Sequence, residues 1–453
     1  MDEQRKPISR SDFPADFAWG TATASYQIEG AFNEDGRGLS IWDTFSHTPG
    51  KTRDGDTGDV ADDHYHRYKE DIALMRELGF NSYRFSIAWP RILPEGRGKV
   101  NSKGLDFYER LVDTLLANGI EPYATLYHWD LPQALQDKGG WKERFTPQAF
   151  EEYADAVSRR LGDRVKGWIT LNEPAVSAFV GHVEGRHAPG EHSFQAGIRA
   201  THHLLLAHGL AMPVLRSNNR RKDAEFGITL STTFAEPGDD SQQAYEAAVM
   251  VDNFNNRIFM DPLFKGRYPS AISNLIDQYL PVQGGDLEKI AAPLDFIGIN
   301  YYFRTLALAV EDQQALKYKT RKVKGAQYTE MDWEVEPEGF YNLLKMVNTD
   351  YKPAKILITE NGAAFPDRLE EGQGQPAVHD PDRTNYLKGH FEAALKALKE
   401  GAPIRGYFVW SFLDNFEWAQ GYSKRFGIVY VDYPTQRRIV KDSGRWYQTF
   451  LRG

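Results

Sequence analysis

Eight times along the chain a short apolar run without alternation gives way to a turn and then to apolar positions spaced three or four apart. The runs are FAWGTAT from Phe17, SYRFSIAW from Ser82, EPYATLYHW from Glu121, KGWITLNE from Lys166, FGITLS from Phe226, DFIGINYY from Asp295, KILITEN from Lys355 and IRGYFVWSF from Ile404. Continuous apolarity in so short a run indicates strands buried on both faces. Between them, Tyr65, Tyr68, Ile72, Met75 and Leu78 form a helical stripe that Gly79 can stop. Leu105, Tyr108, Leu111, Val112, Leu115 and Leu116 form another, ending at Gly119, and Thr146-Pro147 reads as an N-cap followed by Pro at the first helical position. Strand alternating with helix eight times predicts an α/β fold, a (β/α)8 TIM barrel, with residues 1–453 as one domain with elaborated βα-loops. A doubly wound open sheet is the alternative, but no GxGxxG turn follows the first strand.

The rest of the chain adds little punctuation. The turn-rich stretches EEGQGQPA from Glu370 and PVQGGD from Pro281 read as surface loops, and KYKTRKVK from Lys317 as a solvated basic face. Net charge is −9, which argues against nucleic acid as a partner, because phosphate binding needs a basic footprint. With no cysteine, disulfides, zinc–thiolate sites and thiol catalysis are excluded. The polar start MDEQRKPISRSDFPADF lacks the apolar core of a secretory signal, and no stretch reaches the roughly 18 apolar residues of a membrane helix. A cytoplasmic protein without a membrane partner is expected, and the sequence is compatible with a homo-oligomer. Ten Trp and 23 Tyr exceed the ordinary needs of a core and suit a polar organic ligand.

Chemistry should gather where the strands end, since barrels of this kind carry their catalytic groups on the loops after the strands. Gln27 and Glu29 follow the first strand, Arg84 lies in the second, and His128-Trp129 ends the third. Asn172-Glu173 ends the fourth, Asn300 and Tyr302 the sixth, Glu360-Asn361 the seventh; Trp410 and then Glu417-Trp418 follow the eighth. Singly, each has a bland explanation: Glu173 as a helix cap or loop tip, His128 as a bonded core histidine, Trp410 as core. Together they put two glutamates, Glu173 and Glu360, on one rim. Hydrolysis of a glycosidic bond needs such a pair, one carboxylic acid to protonate the leaving oxygen and one carboxylate facing the anomeric carbon. Pro174 predicts an extended backbone at Glu173, and Asn172 beside it can bond a sugar hydroxyl. A metal-dependent hydrolase is a poorer fit. Its only candidate ligands, Asp62 to His66 and His202, His203 and His208, lie on predicted helices without HExxH. No metal or other cofactor is expected.

The ordered stretches FAWGTATASYQIEG, YRFSIAWPRI, TLYHWDLP, TLNEP, ITENG and WSFLDNFEWAQGYSKRFGIVYVDYPTQRR resemble family 1 of the glycoside hydrolases nearly end to end. The resemblance implies a retaining, exo-acting β-glucosidase with β-galactoside and β-fucoside side activity. It implies Glu173 as acid/base and Glu360 as nucleophile, the latter touched by Arg84 and Tyr302. It also implies that Gln27, His128, Trp129, Asn172, Glu417 and Trp418 surround the non-reducing sugar, with Trp410 beneath its ring. Asn300 and Tyr302 would flank the catalytic pair. Trp333 and Phe426 complete the substrate-binding set, Trp333 as an aglycone platform for which an ordinary loop tryptophan is the alternative. The substrates implied are small β-glucosides or cello-oligosaccharides. A 6-phosphoglycosidase is disfavoured because Glu417 would repel phosphate, a thioglucosidase because Glu173 is not Gln, and a non-catalytic relative because both glutamates are intact.

Overall fold

The computed structural model describes residues 8–310, 318–372 and 375–453. Eight parallel strands close on themselves: β1 (Ala18–Ala22), β2 (Ser82–Ser86), β3 (Glu121–Tyr127), β4 (Gly167–Asn172), β5 (Glu225–Ser231), β6 (Phe296–Asn300), β7 (Ile356–Asn361) and β8 (Ile404–Trp410). Each pairs with its neighbours in sequence, and β1 pairs with β8 from Ala18↔Gly406 to Ala22↔Trp410. Every one of the eight expected strands is present. β1, β2, β4, β6 and β7 are buried at every position, the reason their sequences do not alternate.

Seven of the eight runs are shorter as strands than their apolarity suggested, by one to three residues, and two show why. β2 stops at Ser86, and Trp89–Ile92 is a helical turn, which suits Pro90 because a first-turn residue needs no N–H partner. β3 stops at Tyr127, two residues before Trp129 turns the chain with φ of +75°.

Inside the barrel Tyr123, Ile169, Phe296, Leu357 and Phe408 pack as an apolar plug. Small residues make room for it: a Cβ on Gly167 would lie 2.1 Å from the Tyr123 ring. Outside, helices α1 (His64–Leu78), α2 (Ser102–Ala117), α3 (Phe145–Leu161), α4 (Phe194–Asn218), α5 (Ile258–Lys265), α6 (Pro337–Tyr351), α7 (Pro381–Lys399) and α8 (Asp442–Arg452) each follow their strand. The predicted stripe of α1 is buried throughout, and Gly79 caps it with φ of +88°. In α2 the stripe is buried save for half-buried Leu116. Thr146 is not an N-cap: α3 begins at Phe145, and the Thr146 hydroxyl donates instead to the Gly140 carbonyl at 2.6 Å. Pro147 still falls in the first turn, where its missing N–H costs nothing.

Of the turn-rich stretches, Leu369–Glu370 pairs with Ala377–Val378, and residues 373 and 374 lie outside the described residues. Pro281 to Asp286 is a surface loop, exposed from Val282 to Gly285 and anchored by Asp286, which is fully buried against Arg144 (2.6 and 2.8 Å) and His202 (3.1 Å). In the basic stretch, Lys319–Thr320 forms an exposed edge strand, and Lys317, like the first seven residues, is outside the described residues. Among the described residues no helix is long and apolar enough to cross a membrane.

Candidate active site

At the C-terminal end of β4 the chain turns abruptly. Glu173 adopts φ of +47°, not the extended backbone expected before Pro174. Its N–H bonds the Thr229 carbonyl of β5 (2.9 Å), and its own carbonyl accepts from Val176 (3.0 Å). The cross-strand bond to Thr229 overrides the local preference, at a strain of about 1–3 kcal/mol. Trp129 (φ +75°) and Trp418 (φ +50°) stand in the same sparsely populated region. Left-handed backbone at three bulky or charged residues around one opening marks a site held in place by its surroundings.

Glu360 comes from β7, where a register shift against β6 pairs it with Asn300. Arg84 Nη1 donates to Glu360 Oε1 at 2.6 Å, and the Tyr302 hydroxyl donates to Oε2 at 2.6 Å. Asn300 Nδ2 donates to Glu173 Oε1 (2.7 Å) and Asn172 Oδ1 (3.1 Å), and its Oδ1 accepts from the Thr359 hydroxyl (2.7 Å). Arg84 is clamped by Thr125 (3.1 Å), the Thr359 carbonyl (3.1 Å) and Asn172 Oδ1 (2.7 Å). A buried guanidinium so fully bonded is a fixed charge, not a mobile one.

The two carboxyl groups are buried and close enough to sense each other. Burial raises the Glu173 pKa, and the charge of Glu360 raises it further. Burial also raises Glu360, but the Arg84 charge and the bonds from Tyr302 and Arg84 pull it back. Of the pair, Glu360 gives up its proton first, and the resulting charge holds the proton on Glu173.

A second wall faces this pair. Asn172 Oδ1 is committed to Arg84 and Asn300, so its Nδ2 donates to His128 Nε2 (3.0 Å) and the imidazole proton sits on Nδ1. Burial, with the Arg84 charge, pushes the His128 pKa well down, so the ring is neutral. Gln27 Nε2 donates to Asn415 Oδ1 (3.0 Å) and the Phe416 carbonyl (2.9 Å), which leaves Oε1 as an acceptor. Three buried polar atoms, Gln27 Oε1, His128 Nδ1 and Glu417 Oε2, have no hydrogen-bond partner among the described residues. Burial, then the Glu360 charge, pushes the Glu417 pKa up to about 8. Buried polar atoms are normally satisfied, so a converging set of unsatisfied ones points to a polar ligand.

Indoles frame the wall. The Trp129 ring lies 4.5 Å from Trp418 and its Nε1 donates to the Asn172 carbonyl (3.0 Å); Trp410 stacks 5.7 Å from His128. On the outer side half-buried Trp333 lies 5.2 Å from Tyr302 and 6.1 Å from Phe426. These contacts join the two glutamates, the polar wall, the indoles, Trp333 and Phe426 around one opening. Other strand-end polar residues serve the scaffold: Glu29 is bonded by Arg91 (2.7 Å) and the Tyr108 hydroxyl (2.6 Å), and Asn361 donates to the Tyr301 carbonyl (2.7 Å). Thr359 and Asn415, which set the Asn300 and Gln27 amides, escaped sequence reasoning although they sit beside singled-out residues in ITENG and LDNFEW. Gly362 ends the first of these motifs because a Cβ there would come within 1.6 Å of the Trp410 carbonyl. The histidines considered as metal ligands are engaged elsewhere: His64 with Asp71 (2.7 Å), His66 with Asp63 (2.6 Å), His202 with Asp286, His203 with the Trp141 carbonyl (2.9 Å) and His208 with Thr170 (2.7 Å).

A closed parallel barrel with paired buried carboxyls and an aromatic, hydroxyl-seeking wall at its mouth defines the class as a barrel glycosidase. The sequence profile of Glycosyl hydrolase family 1 matches residues 9–453, and the chain belongs to that family. It is 52% identical to "Beta-glucosidase A" of Thermotoga maritima over 97% of this chain and 98% of that protein. It is 46% identical to "Bifunctional beta-D-glucosidase/beta-D-fucosidase" of Bifidobacterium breve over 97% and 98%. The solved "Beta-glucosidase from Thermotoga maritima in complex with glucoimidazole" superposes with a TM-score of 0.93 at 51% identity, covering 97% of this chain and 98% of that one.

Proposed function

We propose that Glu173 and Glu360 are the acid/base and the nucleophile of this enzyme. The chain is a retaining, exo-acting β-glucosidase that removes terminal β-D-glucosyl residues through a covalent glycosyl–enzyme intermediate. The observation that carries the assignment is the asymmetry of partners: Glu360 accepts from a guanidinium and a phenol, Glu173 from one neutral amide. Ionised Glu360 attacks the anomeric carbon while protonated Glu173 gives its proton to the departing oxygen. Ester formation removes the charge on Glu360, the Glu173 pKa falls, and Glu173 takes a proton from the water that attacks the anomeric carbon and releases Glu360.

In this reading the terminal sugar lies over Trp410, beside the packed pair Trp129 and Trp418. Gln27 Oε1 and Glu417 accept from its hydroxyls, His128 Nδ1 donates, and Asn172 has a second Nδ2 hydrogen to offer. Asn300 and Tyr302 steady the catalytic pair, and Trp333 with Phe426 flanks the leaving group. Substrates are small β-glucosides and cello-oligosaccharides, with β-fucosides and β-galactosides turned over as well. A single domain working in the cytoplasm is part of the same proposal, tested by limited proteolysis and cell fractionation. The deciding experiment for the chemistry is early-time NMR of the sugar released from an aryl β-glucoside. The β-anomer is expected first; an initial α-anomer overturns the roles of the two glutamates.

A further inference from the structure

Two groups of the sugar-facing wall, Gln27 and His128, come from strands that are not neighbours. Gln27 follows β1, His128 follows β3, and β2 lies between. No ladder of hydrogen bonds therefore sets their separation. A row of buried side chains crosses the gap instead. Ser86, the last residue of β2, accepts the Ser25 N–H (2.7 Å) and donates its hydroxyl to Ser25 Oγ (3.0 Å). Ser25 Oγ in turn donates to Asp130 Oδ2 (2.9 Å). Ser25 opens the helical turn Ser25–Ile28 and stands two residues before Gln27, and Asp130 stands two residues past His128. Each step is at most about 7 Å of chain.

Stability does not explain Asp130. It is fully buried, its Oδ1 has no hydrogen-bond partner among the described residues, and the Arg37 guanidinium, whose charge it senses, is bonded to Asp43 (2.9 Å). A buried carboxyl held by one hydroxyl costs stability, and such a group calls for a reason. The direction of its bond supplies one. His128 Nε2 accepts from Asn172 Nδ2 and Trp129 Nε1 donates to the Asn172 carbonyl, both at 3.0 Å, so these two lean on the end of β4. Asp130 bonds Ser25 on the opposite side, beyond β2. Residues 128–130 are thus held from both sides, with Trp129 at φ of +75° between the two anchors. We propose that Asp130 is a positioning residue for this reaction: through Ser25 it fixes His128 against Gln27, so that both reach one sugar unit. The proposal rests on the sugar wall as read above.

A double-mutant cycle tests it, with kcat/KM on an aryl β-glucoside measured in wild type, Asp130→Ala, His128→Ala and the double variant. Asp130→Ala should lose about 10- to 100-fold, since misplacing a group by about 1 Å can cost about 10²-fold. In the His128→Ala background the same change should cost less than about twofold, because the group that Asp130 aligns is gone. Asp130→Asn keeps an acceptor oxygen for the Ser25 hydroxyl and should recover most of the loss. Where Asp130→Ala does not fold, as urea unfolding reports, Ser25→Ala set against Gln27→Ala runs the same cycle from the other end of the bond. Losses that multiply independently overturn the proposal, because a merely structural residue would weaken both backgrounds alike. Wild-type rates in Asp130→Ala overturn it too, as does an Asn variant as impaired as the Ala variant. Wild-type rates in His128→Ala overturn the reading of the sugar wall instead.

Discussion

Two buried charge clusters flank the β7 and β8 loops, and they are built on opposite plans. In the first, Lys441 bridges Asp414 (2.6 Å) and Asp367, Arg383 bridges Asp367 (3.0 Å) and Asp380, and Arg425 returns to Asp414 (2.6 Å). Three cations meet three anions, and Ser443 supplies the spare bonds of Asp380. In the second, Glu173, Glu360 and Glu417 face one guanidinium, Arg84, and Glu417 Oε2 has no partner among the described residues. The balanced cluster ties the loop after β7 to the loop after β8 and to the entry of α8. The unbalanced one stores protons and unmet hydrogen bonds that only a substrate can use. A buried ion pair says little about function; a buried surplus of one sign says a good deal.

The comparison breaks most visibly at the two glutamates. Glu360→Ala should abolish turnover of every glycoside. Glu173→Ala should lose about 10²–10⁴-fold on substrates with poor leaving groups, but much less in the glycosylation of enzyme by an acidic aryl glycoside, which departs without a proton. Pre-steady-state release of the phenol separates that step; equal losses on both substrates would remove Glu173 as the acid.

Next in size is the balanced cluster. Lys441→Met leaves Asp367 and Asp414 short of a buried partner and should destabilise the fold by about 3–5 kcal/mol, read from urea unfolding. A comparable loss from Glu417→Gln would erase the distinction between scaffold and site. Glu417→Ala should instead lower kcat/KM on β-glucosides about 10- to 100-fold, because buried sugar hydroxyls are left without their partner, with little change in unfolding. Efficient turnover of a 6-phosphoglucoside by wild type would contradict the role given to Glu417.

A subtler test concerns the proton itself. The alkaline limb of the rate profile should follow loss of the Glu173 proton, because its folded pKa is raised and the acid form is the active one. In Glu360→Gln the partner charge is gone, so Glu173 should ionise at lower pH than in wild type when followed by carboxyl ¹³C NMR. An unchanged pKa would assign its protonation to burial alone. The smallest effect is expected at Asp62, a fully buried carboxyl outside the site whose pKa burial pushes well up. A raised acid pKa works against the fold above the unfolded value, so Asp62→Asn should raise Tm slightly at pH 7. The gain should vanish near pH 3, where the carboxyl is protonated in both states.

Much of this molecule was legible from its chain alone. Strands buried on both faces cannot alternate, and helices packed on one face must repeat every three or four residues. Those two periodicities are local, so β1 to β8 and the stripes of α1 and α2 could be read directly. The chemistry was readable because each catalytic group sits at the end of such a strand, inside a contiguous motif. Tertiary structure decided what depends on partners far apart in sequence. Pro174 argued for an extended Glu173, yet the Thr229 carbonyl of β5 holds it at φ of +47°. Thr146 looked like a cap until Gly140 claimed its hydroxyl. The Asn172 amide takes its orientation from Arg84 and Asn300, and only that orientation places the His128 proton on Nδ1. Whether an Asp joins a balanced cluster or a Glu an unbalanced one depends on which loops closure of the barrel brings together. A hydrogen bond acts over about 3 Å of space, and no period along the chain encodes which distant residue will lie within it.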